Sequence, residues 1–170
     1  MASIFSNIRR DENDAWVADY GPYTLHSALQ PIFSQAHRGV LTLQAFEGLI
    51  RPSRKGEMVR PGEFFTSIAA HDRAKVDSLC RSLHIFNTGA LKRRHAKLFV
   101  NFYPGLFVTD MAIRREVEMI KLAAIEAGLT PERIACEITQ KENDSHDMLS
   151  LFVEELRKHG FRIAIDEYGA

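Results

Sequence analysis

The chain has 170 residues, of which 45% are hydrophobic and 26% are charged, a composition typical of one globular domain with a buried core. Lys and Arg together number 22, as do Asp and Glu, so the sequence lacks the basic excess expected of a protein that binds nucleic-acid polymers. Cys80 and Cys136 lack the spacing of a zinc site, and neither a signal peptide nor a membrane segment is evident, so we expect reduced thiols in a cytoplasmic protein.

The first half of the sequence predicts a hairpin of strands followed by helices. Residues 1–24 are polar and aromatic without a clear period, which leaves three interpretations open: a leader, a linker from an upstream domain, or a first helix. Two strand-like runs follow at 29–33 and 40–46, and the short polar connection that ends at Gly39 favours an antiparallel hairpin. From Pro61 onwards apolar residues recur at helical spacing after an acidic first turn, which predicts one or two helices.

The second half alternates short apolar runs with amphipathic helices, a pattern typical of a parallel sheet. One helix is predicted to begin with Asp110 as its cap and to end at Gly128, and the next to end at Gly160. The strands predicted here are 97–102, 134–138 and 162–166. A (β/α)8 barrel of the TIM type uses about 31 residues for each unit, so we expect an α/β fold with about five of eight barrel strands and an antiparallel first strand.

Four predicted strands carry an oxygen-bearing side chain at or near their carboxyl end. These residues are Glu47, Asn101, Glu137 and Asp166. Any one of them is explained equally well as a polar residue satisfied in the core, but barrels place catalytic groups at this rim, and four in series favour a site. Carboxylates crowded together repel unless a cation neutralises them, and oxygen ligands suit Mg²⁺ or Mn²⁺ better than zinc. The pattern therefore predicts a divalent-metal site.

The same residues lie in segments that resemble the EAL domain family of cyclic-di-GMP phosphodiesterases, from roughly Leu25 to the C-terminus. Residues 46–52, Phe-Glu-Gly-Leu-Ile-Arg-Pro, resemble the signature Glu-Ala-Leu-x-Arg. Four more segments resemble family motifs. Residues 30–32 resemble the family's opening strand, and residues 100–104 resemble its Asn-Leu-Ser-Pro motif. Residues 136–139 resemble Glu-x-Thr-Glu, and residues 160–169 resemble Gly-x-x-Ile-Ala-Ile-Asp-Asp-Phe-Gly. These segments follow one another in the family's order, which makes the resemblance specific.

The resemblance implies hydrolysis of cyclic-di-GMP to linear pGpG by two-metal activation of water, in bacterial second-messenger signalling. It implies Glu47, Asp166 and Glu167 as catalytic residues, and Gln30, Leu49 and Arg51 as substrate-binding residues. The implied ligands of Mg²⁺ or Mn²⁺ are Glu47, Asn101, Glu137, Asp166 and Glu167. A homodimer and a regulatory domain upstream or downstream are further expectations.

Three residues depart from the family pattern. Gly48 replaces the signature alanine, which we interpret as a tolerable exchange of small residues. Gln140 stands where the family has a second glutamate, and Glu167 is one methylene longer than the family's aspartate. Because the sequence stops at Ala170, before the family's later lysine and glutamate, we expect the 170-residue chain itself to be inactive. The alternative is a catalytically degenerate EAL domain that acts as a cyclic-di-GMP receptor or protein-interaction module.

Overall fold

Eight strands form one sheet in the computed structural model, which describes residues 5–35, 39–93, 95–139 and 146–165. Four α-helices accompany the sheet in this part of the chain. In chain order the elements are β1 (Ile8–Arg10), β2 (Trp16–Tyr20), β3 (Tyr23–Gln35), β4 (Leu41–Arg54), β5 (Glu57–Met58), α1 (Pro61–Ser67), α2 (Arg73–Ala90), β6 (Lys97–Phe102), α3 (Asp110–Glu126), β7 (Ile134–Ile138), α4 (His146–Lys158) and β8 (Arg162–Ile165).

The sheet begins as an antiparallel arrangement and continues as a parallel one. The strands follow the order β1-β2-β3-β4-β6-β7-β8, and β5 pairs with β4. All pairs from β1 to β5 are antiparallel, whereas β4, β6, β7 and β8 run parallel. Each parallel step crosses over through a helix, as parallel pairing requires. The predicted hairpin and the alternation of strands and helices after it are therefore confirmed.

The five predicted strands are all present, as β3, β4, β6, β7 and β8, but the sequence did not predict β1, β2 and β5. β1 and β2 lie within residues 1–24, and β5 has only 2 residues. In β2 the neighbours Val17 and Ala18 are both buried, so this strand lacks the apolar–polar alternation by which a half-buried strand is recognised. β1 lies at the edge of the sheet with two of its three residues exposed, so it offers no apolar run.

The main core lies between the parallel strands and the helices. In β6 every second side chain is buried against the helices, whereas Lys97, Phe99 and Asn101 are half-buried on the opposite face. Core residues from the helices are Ile113, Val117 and Ile120 of α3 and Phe152 and Leu156 of α4. The rings of Phe102 and Phe152 stack with their centroids 3.5 Å apart. One face of β6 is therefore packed against the helices, and its other face is half-buried.

The start of α3 differs from the prediction by one residue, whereas its end agrees with it. Thr109, rather than Asp110, caps the helix, since its Oγ1 accepts a hydrogen bond from the Ala112 N–H at 3.2 Å. Asp110 is the first helical residue, where its negative charge favours the helix N-terminus. Gly128 and Gly160 follow α3 and α4 with φ of 68° and 82°, which confirms both predicted helix ends.

Cys80 and Cys136 are buried free thiols, as predicted. Burial raises the pKa of both thiols, because a thiolate would lose its hydration. Among the described residues, no helix combines the length and the apolar character needed to cross a membrane.

Candidate metal and ligand site

Glu47 lies in the middle of β4, where two neighbouring strands flank it. Gln30 of the antiparallel strand β3 is paired with it on one side, and Phe99 of the parallel strand β6 on the other. Because side chains alternate along a strand, Leu49 and Arg51 lie on the same face as Glu47. These three β4 side chains are half-buried and Gln30 is exposed. The signature segment thus presents its predicted site residues on one accessible face.

Asn101 and Glu137 are direct neighbours across the parallel strands β6 and β7. Asn101 lies two residues beyond Phe99, the partner of Glu47, and therefore on the same face as Glu47. Standard strand geometry separates the Cα atoms of Asn101 and Glu137 by about 4.8 Å and those of Glu47 and Asn101 by roughly 8 Å. The fold thus brings three of the predicted metal ligands to one face of three adjacent strands.

The remaining predicted residues of the site, Asp166 and Glu167, lie outside the described residues, as does Gln140. In β8 the structure pairs Ala164 with Glu137. Within the described ranges, no cluster of three or more His, Cys, Asp or Glu side chains is close enough to hold a metal ion. The convergence of the five predicted ligands on a divalent-metal site therefore stays a prediction.

A cavity of about 250 Å³ opens where β4 and β6 approach their carboxyl ends. Leu49, Arg51 and Asn101 all line it, and so do the buried α2 residues Asp77, Arg81 and His84. The guanidinium of Arg51 donates one hydrogen bond to the carbonyl oxygen of Ile50 at 2.9 Å. Pockets that enclose a drug-sized ligand have about 300–1,000 Å³, so this cavity holds only part of a dinucleotide. Larger cavities of about 510 and 490 Å³ lie elsewhere, and none of the predicted site residues lines them.

Behind the site, Arg81 of α2 is the centre of a buried ionic cluster that the sequence did not predict. Its guanidinium donates to both carboxylates of the cluster, to Asp77 and, through Nη2, to Glu116 at 2.6 Å. Nη1 also reaches the backbone carbonyl oxygen of Asn101 at 3.3 Å, and the guanidinium carbon lies 4.6 Å from the ring centroid of Phe102. Arg81 therefore links α2 and α3 to the end of β6.

Burial raises the pKa of Asp77, and the nearby Glu116 adds to this, while Arg81 opposes both. Burial lowers the pKa of Arg81, but the negative charges of Asp77 and Glu116 raise it by more, so the pKa of Arg81 is raised overall. The guanidinium is therefore charged at every physiological pH. Within the described part of the chain, Arg81 is the one cation that pairs with these two buried carboxylates, so their charges are compensated only while Arg81 is present.

His84, one turn after Arg81 on α2, is a second buried polar residue behind the site. Its Nδ1 lies 2.6 Å from Oγ of Ser27 on β3. Burial, together with the positive charges of Arg81 and Arg51, lowers the pKa of His84 to about 3, so the ring is neutral. Its ring also lies against Gly48, between the site residues of β4. In the sequence His84 is not part of any metal-ligand spacing. Its contacts with Ser27 and Gly48 are apparent only from the structure.

The profile of the EAL domain family matches residues 23–170. The chain belongs to the EAL domain family. The match begins at the first residue of β3 and includes the signature strand β4 and the parallel strands after it. No match was found among curated proteins.

Solved EAL structures resemble the chain in fold. The Klebsiella pneumoniae BlrP1 complex with calcium and cyclic-di-GMP at pH 8.0 is 28% identical, with a TM-score of 0.67 over 88% of this chain and 36% of that chain. The BlrP1 complex with manganese and cyclic-di-GMP at pH 6 is 25% identical, with a TM-score of 0.70 over 96% of this chain and 38% of that chain. The chain thus spans little more than a third of BlrP1.

A standalone EAL protein from Vibrio cholerae O395, solved in its cyclic-di-GMP-bound form, has a TM-score of 0.72. It is 22% identical, and the alignment covers 89% of this chain and 60% of that chain. At this identity the likeness shows the fold alone. Together with the family match, it confirms the resemblance read from the sequence motifs.

Proposed function

We propose that this chain forms part of a cyclic-di-GMP phosphodiesterase, a hydrolase that converts cyclic-di-GMP to linear pGpG. The observation that carries the proposal is the common face of Glu47, Asn101 and Glu137, with Leu49 and Arg51 at the adjoining cavity. Membership of the EAL family supports it, as do the BlrP1 structures, which are complexes with cyclic-di-GMP and calcium or manganese.

The corresponding fold is a (β/α)8 barrel of the TIM type, to which β4, β6, β7 and β8 contribute consecutive parallel strands. Two observations support this proposal: the helical crossovers between these strands, and an inner face that is only half-buried while the outer face packs against helices. In such barrels catalytic groups lie at the carboxyl ends of the strands, which is where Asn101 and Glu137 are found.

The donor atoms on this face fit a hard divalent cation. Glu47 and Glu137 offer carboxylate oxygens and Asn101 an amide oxygen, the ligand type that Mg²⁺ and Mn²⁺ favour. In our proposal these residues hold the ions together with Asp166 and Glu167. Bound ions supply an activated water and stabilise the charge that develops on the phosphate oxygens.

The dinucleotide is proposed to bind along the same face. Arg51 supplies a planar guanidinium that matches two phosphate oxygens, and Leu49 supplies apolar surface next to it. Gln30 is exposed directly across from Glu47, so its amide is available to a ligand on this face. Because the cavity beside Arg51 holds only part of a dinucleotide, the rest of the ligand extends over the open face.

The test is the release of pGpG from cyclic-di-GMP by the full-length protein with Mn²⁺, followed by chromatography. Glu47→Gln keeps the side-chain shape and removes its charge, so we expect a rate loss of roughly 100-fold or more. Glu57→Gln is the matched control, because Glu57 is exposed on β5 and belongs to none of the predicted sites. Equal turnover in the two variants would contradict the proposal.

Binding of cyclic-di-GMP without turnover would instead favour the receptor alternative, in which the departures at Gln140 and Glu167 have removed catalysis. The two outcomes are distinguished by measuring binding and pGpG release in the same preparation. A cytoplasmic location agrees with two free, buried thiols, which are common in reducing compartments. The homodimer and the regulatory domain stay predictions.

A further inference from the structure

Gly48 has no room for a side chain, because His84 lies against it. A Cβ placed at Gly48 would lie 2.6 Å from Cγ of His84 and 2.8 Å from both Cβ and Cδ2. Carbon atoms in contact normally lie about 3.5–4.0 Å apart. Gly48 is not among the glycines with positive φ, so the close approach, and not the backbone conformation, requires glycine here. The family's alanine would therefore clash with His84 if it were placed at position 48 of this chain.

His84 is held in this position by its attachment to α2, by its burial and by one hydrogen bond. The atoms nearest to Gly48 include the Cβ of His84, which moves only with the backbone of α2. The imidazole is 4% exposed, and its Nδ1 is hydrogen-bonded to Ser27 on β3. A rotation of the ring would break this bond inside the core and leave a buried polar atom unpaired. A side chain at position 48 therefore displaces β4 from α2 and does not simply turn the imidazole aside.

The helix that carries His84 also contacts the strand that carries Asn101. Arg81, one turn before His84, donates to the backbone carbonyl oxygen of Asn101. Gly48 lies between Glu47 and Leu49, whose side chains point to the accessible face. α2 thus sets the position of β4 through His84 and the position of β6 through Arg81. Because Arg81 holds the end of β6, a displacement of β4 from α2 that β6 does not follow changes the distance between Glu47 and Asn101.

We propose that His84 is a positioning residue of the candidate site, and that Gly48 and His84 form a matched pair that sets the location of Glu47 relative to Asn101. In this chain the imidazole takes the space that a residue-48 side chain would need. The inference rests on the proposed function in that Glu47 and Asn101 hold the divalent ion. An alanine at position 48 is accommodated only when residue 84 becomes smaller.

The experiment is a double-mutant cycle on the full-length protein, with the melting temperature and the Mn²⁺ dissociation constant measured for each variant. The variants are the wild type, Gly48→Ala, His84→Ala and the double variant. We expect Gly48→Ala to lower Tm by roughly 5 °C or more and to weaken Mn²⁺ binding by roughly tenfold or more. In the His84→Ala background, the same glycine-to-alanine change should leave both quantities nearly unchanged.

Gly62→Ala is the matched control, because a Cβ at Gly62 meets no atom within 4 Å. It should change neither Tm nor the dissociation constant. An unchanged Tm in Gly48→Ala would overturn the steric pair. A lowered Tm with unchanged Mn²⁺ affinity would overturn the positioning role. If Gly48→Ala itself fails to fold, the double variant decides. A double variant that folds supports the steric pair. A double variant that does not fold, although His84→Ala folds, overturns the steric pair.

A wild-type protein that binds no Mn²⁺ would overturn the proposed function, and the positioning role with it. The Tm values of the cycle are measured without added metal, so they do not depend on Mn²⁺ binding. They would still decide whether Gly48 and His84 are sterically coupled, so the two failures are distinguishable.

Discussion

Replacing Arg81 by methionine removes the cation from a cluster of three buried charges. The side chains of Arg81, Asp77 and Glu116 are 2%, 8% and 6% exposed. Methionine keeps much of the apolar stem that packs beside Phe102 but cannot donate to either carboxylate. Both carboxylates then remain buried without their cation, so we expect the folded protein to lose stability.

Removing one partner of a buried ion pair costs about 3–5 kcal/mol. Arg81 pairs with two carboxylates and also donates to the Asn101 carbonyl, so we expect a loss in the upper half of this range, about 4–5 kcal/mol. At roughly 2–4 °C for each kcal/mol in a domain of this size, Tm should fall by roughly 8–20 °C.

The loss of stability in Arg81→Met should also depend on pH. Burial raises the pKa of Asp77, and Arg81 opposes that rise, so removing Arg81 raises this pKa further. A carboxyl group whose folded-state pKa lies above its unfolded value contributes stability below the unfolded pKa and loses it as the pH rises through the folded pKa. The deficit of Arg81→Met should therefore be smaller at about pH 5 than at about pH 8.

The assay is urea unfolding followed by circular dichroism at both pH values. Arg9→Met is the control, because Arg9 and Asp19 form an ion pair whose side chains are 52% and 48% exposed, and exposed pairs contribute little. An Arg81→Met protein as stable as the wild type would refute the reasoning about the buried cluster. A deficit that does not change with pH would refute the role of the carboxylates.

Three further predictions concern Arg51, Thr109 and the two cysteines. Arg51→Lys should raise the KM for cyclic-di-GMP by roughly tenfold or more, since lysine cannot donate in the planar fork of arginine, and steady-state kinetics checks this. Thr109→Ala should lower the free energy of unfolding by about 1 kcal/mol in urea titration, because the helix α3 loses its cap to Ala112. Burial raises the pKa of both cysteine thiols, that of Cys136 to about 12, so neither thiol should react with Ellman's reagent before the protein unfolds.

The parallel part of the fold was predictable from sequence because its strands are short apolar runs bounded by turn signals. The predicted bounds 97–102 and 134–138 match β6 and β7. β2 was not predictable in this way, because its burial depends on pairing with β3 and on packing against α2. Similarly, Thr109 and Asp110 both suit a helix cap, and only the backbone conformation distinguishes them.

The motifs located the accessible residues of the site but not the buried residues behind it. The apolar stripe of α2 predicted a helix packed against the core, while Arg81 and His84 of the same helix are polar and are ordinarily expected on the surface. Their partners Glu116 and Ser27 are 35 and 57 residues away in the sequence. Contacts between residues so far apart cannot be predicted from a local sequence pattern. The lack of space for a side chain at Gly48 could not be predicted for the same reason.

The most direct test of the central claim is the location of Mn²⁺ in crystals of the full-length protein grown with Mn²⁺ and cyclic-di-GMP. Anomalous diffraction at the manganese edge identifies the ion independently of any assumption about the site. Our account predicts a manganese peak within bonding distance of side-chain oxygens of Glu47, Asn101 and Glu137. A well-occupied peak that none of these three residues contacts would contradict it.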